Sequence, residues 1–397
     1  MNTKKIATIK LSICSAMVVI LTMTFLFFND LSADSKRGVQ GIAFVGITGE
    51  DEELLNRQIY LMDTDGKNIR NLTNNKSDIE ELPSWSPDGT QIAFVSNNPI
   101  SGWGWGMYIM DADGQNKRQL TTLSVEYTHP AWSPDSKKIA FSSRTSVDNH
   151  DNNIYVVDVT PDPITPSQQT DINLTRLTND PASAKWPSWS PDGKKIAFLS
   201  WRHDKISKSG PDIYVMDIVP DKLELVEKNL IRLTKNMAPG PHCPAWSPDG
   251  KRIAFAGVSP DNPDLHRDLY IMDTDGKNIK NLTNTAKYSE EHPIWSPDGK
   301  MIAFEGGSPF EEGKNVYIID ADGSNLRNLS SKIYGMSPSW SPDSQWIVFH
   351  SGVVSFGRDL PIYSAICKID INGKNLKKLI GSTQKDYYQS PDWSPVK

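Results

Sequence analysis

Apolar residues recur along this chain in short alternating bursts. The most regular burst is a triplet: Ile42-Ala43-Phe44, Ile92-Ala93-Phe94, Ile139-Ala140-Phe141, Ile196-Ala197-Phe198, Ile253-Ala254-Phe255, Ile302-Ala303-Phe304 and Ile347-Val348-Phe349. Alternation of this kind predicts strands whose Ile and Phe share one face while Ala takes the other. Trp-Ser-Pro-Asp precedes six of the triplets, starting at Trp85, Trp132, Trp189, Trp246, Trp295 and Trp340, and a clipped copy, Trp393-Ser394-Pro395, ends the chain. Successive tryptophans lie 47, 57, 57, 49, 45 and 53 residues apart, the period of one propeller blade per repeat.

Each repeat reads as four strands. Ser86-Pro87-Asp88-Gly89 suits a type I turn after the first. Asp65-Gly66, Asp113-Gly114, Asp275-Gly276, Asp322-Gly323 and Asn372-Gly373 favour a tight hairpin between the last two. The first triplet lacks a Trp-Ser-Pro before it, and the last Trp-Ser-Pro lacks a triplet after it. Pairing the two ends would complete one blade and leave no open sheet edge. The expectation is an all-β, seven-bladed β-propeller closed by its N- and C-terminal strands. Cys367 falls where other repeats carry Tyr and reads as core filler.

The start of the chain differs. Lys4, Lys5 and Lys10 lead into a charge-free run from Leu11 to Phe28, so residues 1–33 read as a signal peptide or an N-terminal membrane anchor. Leu31-Ser32-Ala33 would serve as a cleavage site, and both alternatives stay open. Residues 34–40 form a short linker and residues 41–397 the propeller, placed outside the cytoplasm, periplasmic or secreted, with membrane contact only through residues 11–28. The whole chain carries −6; the leader's three Lys and one Asp leave −8 on the rest, an unfavourable balance for nucleic acid. Cys243 and Cys367 lie at different strand positions, which argues against a disulfide. A monomeric propeller is expected.

Candidate chemistry sits in the variable loops between the second and third strands and at the passages between repeats, all on the side opposite the tight turns. Trp103, Trp105, Arg144, Trp201, Arg202, His203, His266, Arg267 and Arg358 occupy these loops, and exposed Trp beside Gly would suit a sugar ring or a partner's side chain. Three positions before each Trp, at the mouth of the channel, stand Leu82, His129, Trp186, Cys243, His292, Ser337 and Ser390. His129, His242 and His292 are the only candidates for a channel metal, and no closed ligand set is apparent; no cofactor is expected. Asp63-x-Asp65-Gly66-x-Asn68 and its copies lack an EF-hand's ligand set and read as turn caps.

The run Pro-x-Trp-Ser-Pro-Asp-Gly-x-x-Ile-Ala-Phe, followed by Ile-Tyr-x-Met-Asp and Leu-Thr, resembles the repeat of TolB-type, or WD40-like, propellers over residues 41–397. The resemblance implies a periplasmic, non-catalytic binding face for an envelope protein or glycan. The α/β domain that precedes the propeller in TolB is not apparent in the sequence. Peptidase propellers carry similar repeats, but no Gly-x-Ser-x-Gly occurs here. The alternative implied by resemblance is a propeller polysaccharide lyase acting on oligouronides, with His129, His242 and His292 on a metal and Arg202 or Arg267 facing a uronate carboxylate.

Overall fold

The computed structural model describes residues 38–47, 57–74, 78–97, 105–125, 129–146, 149–159, 173–203, 210–218, 229–235, 237, 240–258, 266–285, 288–307, 313–331, 333–352, 364–381 and 387–396. Among these there is no helix, so none long and apolar enough to cross a membrane. Trp103, Arg358 and the charge-free run of residues 11–28 lie outside the described residues.

Strands run antiparallel in chain order. β1 (Ile42–Ile47), β2 (Arg57–Met62) and β3 (Arg70–Asn71) come first. Then follow β4 (Ile79–Trp85), β5 (Gln91–Asn97), β6 (Trp105–Asp111), β7 (Arg118–Val125), β8 (Ala131–Trp132), β9 (Lys138–Ser146), β10 (Asn149–Asp158) and β11 (Leu174–Arg176), all in one eight-stranded sheet. Three four-stranded sheets come next: β12 (Ala184–Trp189), β13 (Lys195–Ser200), β14 (Asp212–Asp217) and β15 (Ile231–Arg232); β16 (His242–Trp246), β17 (Arg252–Val258), β18 (Arg267–Asp273) and β19 (Lys280–Asn281); β20 (Ser289–Trp295), β21 (Met301–Gly307), β22 (Asn315–Asp320) and β23 (Arg327–Asn328). β24 (Met336–Trp340), β25 (Trp346–Gly352), β26 (Ser364–Asp370) and β27 (Lys377–Gly381) form another, and β28 (Tyr387–Trp393) pairs with β1, Ile42 opposite Trp393.

Each triplet is fully buried, and in six of the seven its Phe stacks on the Tyr paired opposite it, as Phe44 on Tyr60 at 5.7 Å between centroids. Cys367 takes that Tyr's place opposite Phe349 and is buried, a free thiol near the Ser351 hydroxyl. The Trp indoles join neighbouring repeats. Trp132, Trp189, Trp246, Trp295 and Trp340 each donate Nε1–H to the carbonyl of the residue just before the preceding repeat's Trp: Ser84, Ala131, Ser188, Ala245 and Ile294, at 3.0–3.2 Å. Trp85 does the same to Asp392 of the last strand. Four of these six acceptors, Ser84, Ala131, Ser188 and Ala245, are small residues that let the neighbouring indole approach the backbone.

Turn chemistry follows the sequence. Gly66 has φ 86°, and a Cβ there would sit 2.8 Å from the Leu379 carbonyl, so both conformation and space require glycine. Asn68, Asn116, Asn278, Asn325 and Asn375 donate to the Asp five residues earlier, so these aspartates cap turns. Ser136 and Ser344 replace the usual glycine at φ 60° and 59°. Their hydroxyls accept the backbone N–H of Asp88 and Asp298 in the preceding repeat, which offsets the strain.

One repeat departs from the pattern. Val125 of β7 pairs with Ser143 of β9 and takes an edge that the inner strand holds elsewhere, so β8 is only two residues long and the second and third repeats share one sheet.

Candidate functional site

The inner strands share a device that residue types alone do not announce. Leu82, Trp186, Cys243, His292, Ser337 and Ser390 all adopt φ between 47° and 53°, three residues before the Trp and immediately before a Pro. Pairing with the second strand slips at this point in each case, for example between Glu291 and Ile294. The bulge re-aims one side chain per strand at the end of the sheet nearest the variable loops. His129 precedes the shortened third inner strand, β8.

Between the β16 and β20 strands the re-aimed side chains meet. His242 Nδ1 lies 3.0 Å from Cys243 Sγ, the edge of the Trp186 indole packs on His242 at 3.5 Å, and the His242 and His292 rings are 6.4 Å apart. His292 is hydrogen-bonded to Cys243 and pairs through Nδ1 with Glu305 Oε2 at 3.4 Å. Glu305 also accepts from Lys314 Nζ at 3.1 Å and from the Ser337 backbone N–H at 2.8 Å. Glu291 holds Lys314 at 2.7 Å and Arg267 at 2.9 Å. The network places Arg267, Lys314 and His292 side by side, each about one-third to one-half exposed.

Electrostatics follow from that packing. Burial works against a charged His292, yet its bonds to Cys243 and Glu305 push the imidazole up to about 11. Burial would raise Glu305, but His292 and Lys314 hold it well below the carboxylate range. Burial lowers His242 to about 3, aided by Arg267, and lowers His129 to about 4, aided by His292. Solvent reaches His129, but the protein around it is dense enough to disfavour its charged form, and the charges of His292 and Glu305, three repeats away, act on it.

Other expected site residues disperse. Trp105 and Trp201 are half-buried and pack on core clusters. Arg202 lies over the Tyr214 ring at 5.1 Å, His203 stacks on the same ring and bonds its hydroxyl, His266 is buried, and Arg144 is exposed at the end of β9. Trp186, His242, Arg267 and His292 are the members brought together. Among the described residues no three His, Cys, Asp or Glu side chains are disposed to hold a metal ion.

Glu305, Glu291, Lys314 and His350 escaped the sequence reading. A signal existed: the residue after each triplet is Val45, Val95, Ser142, Leu199, Ala256, Glu305 and His350. Only Glu305 puts a carboxylate at this buried position, a choice the fold does not ask for. His350 is buried with Nδ1 unpartnered, burial lowers it to about 4, and the charge it senses is that of Glu305. A depression of about 390 Å³ near Cys367 and Lys378 lies away from this cluster, against the outer strands of the β24–β27 sheet.

No curated protein matches the chain. Among solved structures, TolB from Acinetobacter baumannii is 20% identical with a TM-score of 0.50, covering 90% of this chain and 81% of that one. Oligogalacturonate lyase from Vibrio parahaemolyticus is 14% identical with a TM-score of 0.56, covering 86% of each chain. A puromycin-hydrolyzing peptidase of Mycobacterium tuberculosis is 14% identical with a TM-score of 0.58, over 87% of this chain but only 54% of that one. At such identities the likeness concerns fold alone. The sequence profile of the TolB beta propeller domain matches residues 177–395, more than half of the chain, and the chain belongs to that family.

Proposed function

We propose that this chain is an extracytoplasmic, non-catalytic propeller of seven blades, closed by its terminal strands, that binds an envelope protein or glycan on its variable-loop side. The pairing of β28 with β1 supports the closed ring, and the charge-free run of residues 11–28 supports export. The binding reading rests on one observation: Arg267, Lys314 and His292 are held side by side by two glutamates, next to the Trp186 indole. Cations fixed in advance lose little entropy on binding, so the site suits an acidic group flanked by an apolar or sugar face. The test is capture of envelope components by the full chain and by Arg267→Ala/Lys314→Ala, with partners identified by mass spectrometry. Loss of the parent's partners from a folded double variant is expected; an unchanged set would remove this cluster from the binding face.

The fold likeness to oligogalacturonate lyase, together with His242 beside His292 and His129 under the charge of His292, favours a second reading as an oligouronide lyase. The donor arrangement speaks against it: His292 is committed to Glu305 and His242 to Cys243.

A further inference from the structure

We propose that Cys243 is a reactive thiol that forms mixed disulfides with small, acidic disulfides entering the axial space. This goes beyond partner binding and stands whether or not a partner docks there.

Thiol–disulfide exchange asks for an accessible sulfur, a group that takes or holds its proton, and an acid for the departing sulfur. All three are present. Cys243 is a free thiol, half-buried, on the bulge that sets its sulfur beside His242. His242 Nδ1 stands 3.0 Å from Sγ, and the Trp186 indole packed against it fixes the ring. His292 bonds the sulfur from the neighbouring repeat, and Glu305 behind it keeps that imidazole protonated. The Cys243–His292–Glu305 chain is the nucleophile, acid–base and orienting group of thiol chemistry, assembled from three strands.

The repeat makes the assignment more specific. Six inner strands carry the same positive-φ bulge, so the backbone conformation belongs to the fold and not to Cys243. What belongs to this place is the content: a thiol and an imidazole on adjacent bulges, with the only carboxylate found after any triplet behind them. His350, buried and unpartnered at Nδ1, adds a second departure from the repeat beside the same carboxylate.

In the exchange, the Cys243 thiol gives its proton to His242 Nδ1, 3.0 Å away, as its sulfur attacks the nearer sulfur of the reagent and the old S–S bond breaks. Its electron pair leaves with the distal sulfur, which takes a proton from His292. Cys243 is oxidised to the mixed disulfide, half of the reagent is reduced to a thiol, and no other oxidant is consumed. Arg267 and Lys314 favour a reagent bearing carboxylates.

The experiment treats the full chain with oxidised glutathione at about pH 7 and follows the Cys243 peptide by mass spectrometry. Native Cys243 is expected to react about tenfold faster than the same cysteine in the urea-unfolded chain, with His292→Asn and Glu305→Gln each removing most of that advantage. A neutral reagent, hydroxyethyl disulfide, should show a smaller native advantage. A native rate at or below the unfolded rate overturns the proposal without reliance on any variant. A native advantage that survives intact in folded His292→Asn would also overturn it, because the chain behind the sulfur would then be idle.

Discussion

Asp392 carries an interaction peculiar to the last strand that can be isolated by pH. Six other repeats place Ser84, Ala131, Ser188, Ala245, Ile294 and Ser339 just before the Trp, and only the last strand places a carboxylate there. Asp392 accepts the Trp85 backbone N–H and the Ser339 hydroxyl, both at 2.9 Å, and so ties β28 to β4 on one side and β24 on the other. Burial pushes the carboxyl up to about 6 from an ordinary 3.8. Because the folded state holds the proton more tightly, stability from this group is greatest below pH 4 and falls as pH rises toward 6. The shift corresponds to about 3 kcal/mol at most, and solvent reaching the half-buried side chain reduces it to about 1–2 kcal/mol. Asp392→Asn keeps an acceptor and loses the titration. The assay is urea unfolding of parent and variant across pH 4 to 7, followed by tryptophan fluorescence, reading the difference between the two. The variant should gain about 1–2 kcal/mol on the parent as pH rises through that window. A difference independent of pH would refute the assignment of a perturbed carboxyl to the junction.

Two further outcomes test the ring and its axis. Deleting residues 388–397 removes nearly all of β28, including the buried Tyr388 and Trp393. Each of those rings contributes about 2–3 kcal/mol of burial, comparable together with much of a domain's net stability. The truncated chain should fail to melt cooperatively, and a melting curve like the parent's would refute closure by the terminal strands. Elemental analysis of dialysed full chain should find transition metal well below one equivalent. A stoichiometric metal lost on His129→Ala would instead favour the lyase reading.

The repeat was legible because it is written in residue types with narrow roles: Pro and Gly at turns, Ile and Phe on one strand face, Trp at the junctions. The bulge was not. Its residues are Leu, Trp, Cys, His and Ser, of which only His favours a positive φ, and the Pro that follows in each repeat is the one regular trace in the sequence. His129 stands at the same spacing from its Trp as the equivalent residues of other repeats, yet the edge of β9 pairs with Val125, a contest between strands that spacing cannot decide. Arg267, Trp186, His242 and His292 were singled out individually. Their convergence depends on which repeats are adjacent and on Glu291 and Glu305, which stand beside repeated motifs without altering the strand alternation.

Whether that charged cluster serves the fold or a task can be decided by returning it to what other repeats carry. At the position of Glu305 the third repeat has Ser142, whose hydroxyl accepts the Trp186 backbone N–H as Glu305 accepts that of Ser337. At the position of His292 the last two repeats have Ser337 and Ser390. Glu305→Ser alone leaves His292 charged without its partner, while Lys314 keeps Glu291. Breaking a buried pair costs about 3–5 kcal/mol, but the His292 side chain is 49% exposed, so about 1–3 kcal/mol is expected. Glu305→Ser/His292→Ser removes both charges and keeps the Ser337 N–H satisfied, and should return to within about 1 kcal/mol of the parent. Urea unfolding of the two single variants and the double variant gives the coupling directly. Additive losses would mean that the two side chains are not paired. Recovery in the double variant, accompanied by loss of partner capture and of Cys243 reactivity, would mean that the fold accommodates this cluster at a cost and that the return lies in what the axial space binds.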